Sequence, residues 1–92
     1  MSKLISLKVV TPEGVAVEEE TVSVRVPGGL GSFGVLYNHA PLVSTVVDGK
    51  LMWRKATGES KTLMVGSGVV EVAKNQVTLL TSFVKEAETA NR

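Results

Sequence analysis

Cysteine is absent from the 92-residue sequence, so disulfide stapling and thiolate metal sites are excluded. Histidine occurs once, at position 39, which leaves a would-be metal site with carboxylates alone. A dominant charge sign is missing too: ten Lys and Arg stand against nine Asp and Glu, for a net charge of +1. The cations are scattered from Lys3 to Arg92 and trace no basic stripe, which argues against nucleic acid and against adsorption to anionic lipid. Long apolar runs are lacking, and the opening MSKLISLKVV has neither an apolar signal core nor a cleavage site. These absences predict a soluble protein that stays where it is made.

What is present is valine at period two. Ile5, Leu7 and Val9 alternate with Leu4, Ser6 and Lys8, and Val22, Val24 and Val26 alternate with Ser23 and Arg25. The same spacing returns at Leu63 and Val65, at Val70 and Val72, and at Val77 and Leu79. Period two is the strand signature, and the branched Cβ of valine packs well on a pleated surface. Turn residues cut these runs at short intervals: Pro12-Glu13-Gly14, Asp48-Gly49, Gly58-Glu59, Gly66-Ser67-Gly68 and Lys74-Asn75. Asp48-Gly49 reads as a hairpin turn between Leu42–Val47 and Lys50–Thr57. About ten short strands follow, so the expected fold is an all-β antiparallel sandwich over residues 1–83. A chain of this size buries roughly 60–65% of its unfolded surface, enough for one modest core. Residues 84–92, with Lys85, Glu86, Ala87, Glu88 and Ala90, lose the alternation and read as a disordered or short helical stub.

Chemistry is hard to find. His39 has Ser32, Ser44 and Ser67 as conceivable nucleophile partners, but no nucleophile elbow accompanies it, and a turn histidine bonded to backbone is the favoured reading. Glu18-Glu19-Glu20 is consecutive, so in a strand the side chains splay apart and form a solvated charged edge instead of a metal site. The glycine-dense stretch Gly28–Gly34 lacks the Lys and the following helix that a phosphate cradle needs. Its glycines are expected to serve tight bends and close backbone approach. Trp53 suits a core position and a sheet surface equally, whereas Tyr37, beside Asn38-His39, is the better contact candidate.

The segment PGGLGSFGVLYNHAPLV, from Pro27 to Val43, resembles the signature of the epsilon subunit of F-type ATP synthases. That family carries a G-x-(F/L)-G-(V/I)-L-P-N-H-A-P-L stretch. Similar segments lie outside it: Leu7–Pro12 matches the family's opening strand and turn, Val65–Val72 its glycine bend and strand, and Asn75–Leu80 its final strand. Tyr37 departs from the pattern, because the family usually has Pro there. Family members also continue into a pair of helices, whereas this sequence stops at Arg92.

The resemblance implies two five-stranded sheets seated in the central stalk of the rotor, one copy per complex, with no active site and no cofactor. It implies binding to the gamma subunit and to the ring of c subunits, and coupling of proton transport to ATP synthesis. Without the helical arm, most arm-based inhibition and nucleotide sensing should be lost. Motif position places Leu30, Gly31 and Ser32 toward the c-ring, and Thr11, His39 and Ser44 toward gamma. The implied location is peripheral, on the cytoplasmic face of an energy-transducing membrane, with a bacterial inner membrane ahead of the stromal face of a thylakoid. Two other readings compete: a stand-alone adaptor that grips peptides by a sheet edge, and a small nucleotide-binding domain built on Gly28–Gly34.

Overall fold

The alternating valines do form strands, and the inward member of each alternation supplies the core. A computed structural model describes residues 3–86. Its ten strands are β1 (Ile5–Thr11), β2 (Gly14–Thr21), β3 (Ser23–Gly28), β4 (Gly31–Val35), β5 (Leu42–Val46), β6 (Gly49–Arg54), β7 (Ser60–Val65), β8 (Gly68–Ala73), β9 (Gln76–Thr81) and β10 (Val84–Glu86). Strand pairing joins all ten into one continuous sheet, which the single-pair contact of β3 with β5 divides into two five-stranded layers, β4-β3-β6-β7-β10 and β5-β8-β9-β1-β2, as expected of the sandwich. Ile5, Leu7, Val9, Val24, Val26, Val70, Val72, Val77 and Leu79 are all fully or almost fully buried between them. Leu51, Val35 and Val65 complete the same cluster.

The sheets touch at two corners. At the first, β3 meets β5 through the single pair Gly28–Val46, where the Gly29 N–H donates to the Thr45 carbonyl (3.0 Å) and the Val47 N–H to the Pro27 carbonyl (2.9 Å). At the second, β7 passes into β8 while β9 passes into β10. There the Gly66 N–H donates to the Phe83 carbonyl (3.0 Å) and the Ser82 N–H to the Ser67 carbonyl (3.1 Å). The buried Thr81 hydroxyl adds a bond to the Gly66 carbonyl (2.8 Å). A Cβ on Gly68 would run into the backbone of Leu80 and Thr81, so only glycine lets the two strands pass here.

Four expectations need correcting. Asp48-Gly49 is not a hairpin turn, because β5 pairs with β8 and β6 with β7. Both β5 and β6 also lie against β3, β5 at Gly28 and β6 at Ser23–Arg25, so the loop carries the chain from one sheet into the other. The sheets are not wholly antiparallel: β1 runs parallel to β9, from Ser6–Gln76 to Val10–Leu80. The stub's first residues, Val84–Glu86, form a strand against Leu63–Val65, because Val84 packs on the core and β7 offers a free edge. The remainder of the stub lies outside the described residues. Finally, Glu18-Glu19-Glu20 is only partly a solvated edge. Glu18 and Glu20 are exposed, but Glu19 faces inward on the edge strand and accepts a hydrogen bond from the Trp53 indole N–H (2.9 Å).

That bond settles Trp53, which is 5% exposed and belongs to the core. Its N–H needs a partner there, and Glu19 supplies one from the opposite sheet. Lys61 on β7 closes the same group with an ion pair to Glu19 (3.4 Å). The hydrogen bond from Trp53, helped by Lys61 and Lys55, outweighs the effect of partial burial and holds the Glu19 carboxyl below its ordinary range. The three residues clasp the edge of the sandwich at which β2 meets neither β6 nor β7 by strand pairing.

Two outcomes are expected. Gly68→Ala lowers stability in urea unfolding by about 1–3 kcal/mol through overpacking at the corner. For Glu19, the folded-state pKa lies below the unfolded one, so its stabilisation is complete above the ordinary carboxylate range and is lost as pH falls through the depressed value. Trp53 fluorescence titrated downward in pH should report that step, and Glu19→Gln should abolish it. A titration unchanged by Glu19→Gln would show that the clasp does not govern it.

Candidate functional site

Most strands of the second sheet follow the rule of apolar inside and polar outside, yet its outer face breaks the rule along one row. Thr45 pairs with Val69, Val69 with Leu80, Leu80 with Val10, and Val10 with Val15. Directly opposed residues share a face, so these five side chains form one line across all five strands. With neighbouring strands about 4.8 Å apart, the line is roughly 19 Å long. Val69 is 43% exposed, Leu80 52% and Val15 54%. The next row, Val43-Glu71-Thr78-Lys8-Glu18, is mainly polar, as is the one beyond it, Ala73-Gln76-Ser6-Glu20. An apolar line with a polar border is the layout of a protein-binding patch.

The backbone builds this line deliberately at β2. Val15 and Val17 are two residues apart and in a regular strand would share a face. The register shifts between Val9 and Val10, so that Val10 faces Val15 while Val9 faces Val17, and Ala16 is left over as a bulge. Val17 thereby packs on the core and Val15 points outward to extend the row.

The glycine segment is a hairpin, β3 to β4, and not a phosphate cradle. Gly31 closes it at φ 125°, in the region that favours glycine, and Leu30 at the tip is fully exposed. The tip leans on the second sheet: the Gly29 N–H bonds the Thr45 carbonyl, and a Cβ on Gly29 would collide with the Thr45 hydroxyl. Ser32 accepts a hydrogen bond from the Arg25 guanidinium (3.0 Å). Leu30 therefore adjoins the Thr45 end of the apolar line.

The residues expected to face gamma are not gathered in one place. Thr11 stands at the turn beside Val10, where its hydroxyl accepts from the Glu13 N–H (3.1 Å) and donates to the Gly14 carbonyl (3.3 Å). Ser44 lies on the inward side of β5, half-buried, and donates to the Thr45 carbonyl (2.9 Å). His39 is half-buried in the loop before β5, at the opposite end of the sheet from Thr11. Its Nδ1 is 2.7 Å from the Ala40 carbonyl, and since a carbonyl can only accept, that nitrogen carries the proton. Asn38 and Asn75, both at positive φ, pin this loop to the β8–β9 turn: the Asn38 N–H donates to Asn75 Oδ1 (2.6 Å) and Asn75 Nδ2 to Asn38 Oδ1 (3.3 Å).

Sequence reasoning missed Val10, Val15, Val69 and Leu80. The signal was there in three doublets, Val9-Val10, Val69-Val70 and Leu79-Leu80, each of which puts an apolar side chain on both faces of its strand. The bulge that adds Val15 leaves no such mark.

A family model described as the ATP synthase delta/epsilon chain β-sandwich domain matches residues 4–87. The chain belongs to this family. Among curated members, the ATP synthase epsilon chain of Desulfitobacterium hafniense is 38% identical over 88 residues, which cover 96% of this chain and 66% of that one. The epsilon chain of Desulfatibacillum aliphaticivorans is 38% identical over 92 residues, covering 100% and 61%. The chain thus spans a little under two thirds of the length of these epsilon chains. The fold recurs in a chain of the Euglena gracilis mitochondrial ATP synthase assembly of OSCP, F1 and c-ring, with a TM-score of 0.86 at 18% identity over 94% of this chain and 55% of that one. It recurs in the central stalk and c-ring assembly of Tetrahymena thermophila, with a TM-score of 0.74 at 13% identity over 92% and 67%. Among the described residues no helix is long and apolar enough to cross a membrane.

Proposed function

We propose that this chain is a non-catalytic central-stalk subunit of an F-type ATP synthase, which holds gamma against the outer face of its second sheet and meets the c-ring with the β3–β4 hairpin. The observation that carries the reading is the continuous line from the exposed Leu30 tip through Thr45, Val69, Leu80 and Val10 to Val15. An apolar row with a polar border gives both affinity and register to a protein partner. Family membership supports gamma and the c-ring as the partners, as does the recurrence of the fold in a Tetrahymena assembly of central stalk and c-ring.

The architecture suits torque transfer. Both corners are backbone hydrogen-bonded, and the β8–β9 turn is pinned to the 38–41 loop, so a load applied at the tip reaches the sheet without passing through a slack linker. Thr11 lies next to Val10 and stays within the gamma patch, while Ser44 lies beneath it and shapes it from below. His39 marks the patch's far border. The subunit supports coupling of proton transport to ATP synthesis from the cytoplasmic side of the energy-transducing membrane.

The adaptor reading finds less support. β2 carries the exposed Glu18 and Glu20 on its edge, and β10 spans only three of the described residues, so neither invites an added peptide strand.

Gel filtration of the chain with purified gamma is expected to give a one-to-one complex. Leu80→Asp and Val69→Asp should each weaken it by about 2 kcal/mol or more while leaving circular dichroism unchanged. Leu30→Asp should spare the gamma complex and impair c-ring binding and proton-coupled ATP synthesis. Full binding by both stripe variants would refute the assignment of this face.

A further inference from the structure

Every charged side chain at an outward strand position of the first sheet is basic, although the linear sequence hides it. Its outward positions hold Arg25 on β3, Lys50 and Arg54 on β6 and Lys85 on β10, all exposed, and no carboxylate. Their strand neighbours Val24, Val26, Leu51 and Trp53 are buried, and Val84 packs on the core, which fixes the cations as outward. Arg25 is opposite Met52, so Lys50 and Arg54 are its two diagonal neighbours, roughly 7–8 Å away. Lys85 is opposite Met64, which in turn is opposite Lys50. At these separations, inside the Debye length of about 10 Å at 0.1 M salt, the charges repel one another.

None of the four makes an ion pair among the described residues, where the single ion pair is Lys61–Glu19. The other sheet's outer face has the reverse balance, Lys8 against Glu18, Glu20 and Glu71. A net charge of +1 thus conceals two faces of opposite sign. Clustered like charges destabilise the free sheet, and the arrangement is relieved when carboxylates arrive. Arg25 is already oriented by its bond to Ser32, which spares part of the entropy of binding. Beside Arg25 and Arg54 lies a shallow trough of about 430 Å³, lined also by Leu36, Met52 and Thr62; Leu36 is 63% exposed and Met52 38%.

We propose that this face docks an acidic segment of a protein partner, separate from the apolar line on the opposite sheet. Carboxylates would pair with Arg25, Lys50, Arg54 and Lys85, and apolar side chains of the same segment would fill the trough over Met52 and Leu36. The apolar floor favours a protein segment over a polyphosphate, which has no apolar groups to place there. Four cations on one face, with a negative face behind, also fall short of the basic stripe that nucleic acid demands.

The test uses the isolated chain and poly-L-glutamate as probe, followed by amide chemical shifts and by isothermal titration. Binding should shift resonances of β3, β6 and β10 and weaken steeply with salt. Lys50→Glu combined with Lys85→Glu should weaken it by about tenfold or more, and Arg54→Glu should act in the same direction. Among the described residues the side chains of Lys50, Lys85 and Arg54 make no hydrogen bond within the protein, so folding is expected to be preserved, and thermal melts check it. Lys8→Glu, on the other sheet, should leave binding unchanged. The proposal falls if poly-L-glutamate binding ignores the sheet-one variants, if it depends on Lys8, or if no binding occurs. It also falls if vesicles of phosphatidylglycerol bind through the same residues more tightly than poly-L-glutamate, which would make the face a lipid contact. Gamma binding plays no part in any arm, so failure here leaves the central-stalk reading untouched.

Discussion

The two layers of this domain are tied together where their backbones come within hydrogen-bonding reach, and this happens at two corners. At the Gly66–Gly68 corner, a ribbon of two strands bends as a unit, with β7 and β10 in one sheet continuing as β8 and β9 in the other. At the Gly28–Val46 corner, a hairpin of one sheet lies over an edge strand of the other. Side chains would hold the backbones apart at both places. The core, the line of outward valines and the position of Leu30 all follow from these two crossings, because each sets which strand edge meets which.

Legibility followed the physics of each feature. Alternation along a strand is a local property, so Ile5-Leu7-Val9, Val24-Val26 and Val77-Leu79 could be assigned to the core from their spacing alone. Hairpins closed by residues suited to left-handed conformations, such as Lys74-Asn75 and Gly58, were equally plain. Pairings between distant strands were not. Asp48-Gly49 has the composition of a hairpin turn, yet two edges of β3 and β8 outcompete the local pairing. Val84–Glu86 shows no apolar alternation but gains a ladder partner and a core contact for Val84. Glu19 looked like one of three equivalent acids until a cross-sheet indole singled it out.

The candidate site shows the same division. Leu30, Gly31 and Ser32 stood out through their glycine context, and the structure puts them on one exposed hairpin. The line that continues from them needed the register of four strand pairs and one bulge, none of which a single sequence displays. The basic face is harder still to see, since its cations come from three strands and are interleaved in the sequence with the acids of the other sheet. A domain of this size offers few independent surfaces, and this one divides them by chemistry: an apolar row on one sheet, cations on the other, and a protruding leucine between.

The parallel pairing of β1 with β9 imposes an order of events on a chain being synthesised. β1 can join β2 as soon as both have emerged, but its second edge has no partner until Gln76–Leu80 are made, about 70 residues after Ser6. At ~5–20 residues per second that wait lasts on the order of several seconds. Throughout it, Ile5, Leu7 and Val9 belong to an unfinished sheet with one bare edge. A nascent chain in this condition is open to pairing with its neighbour on the same message, so the ribosome's spacing, or a chaperone that shields the first hairpin, becomes part of how the finished domain is obtained.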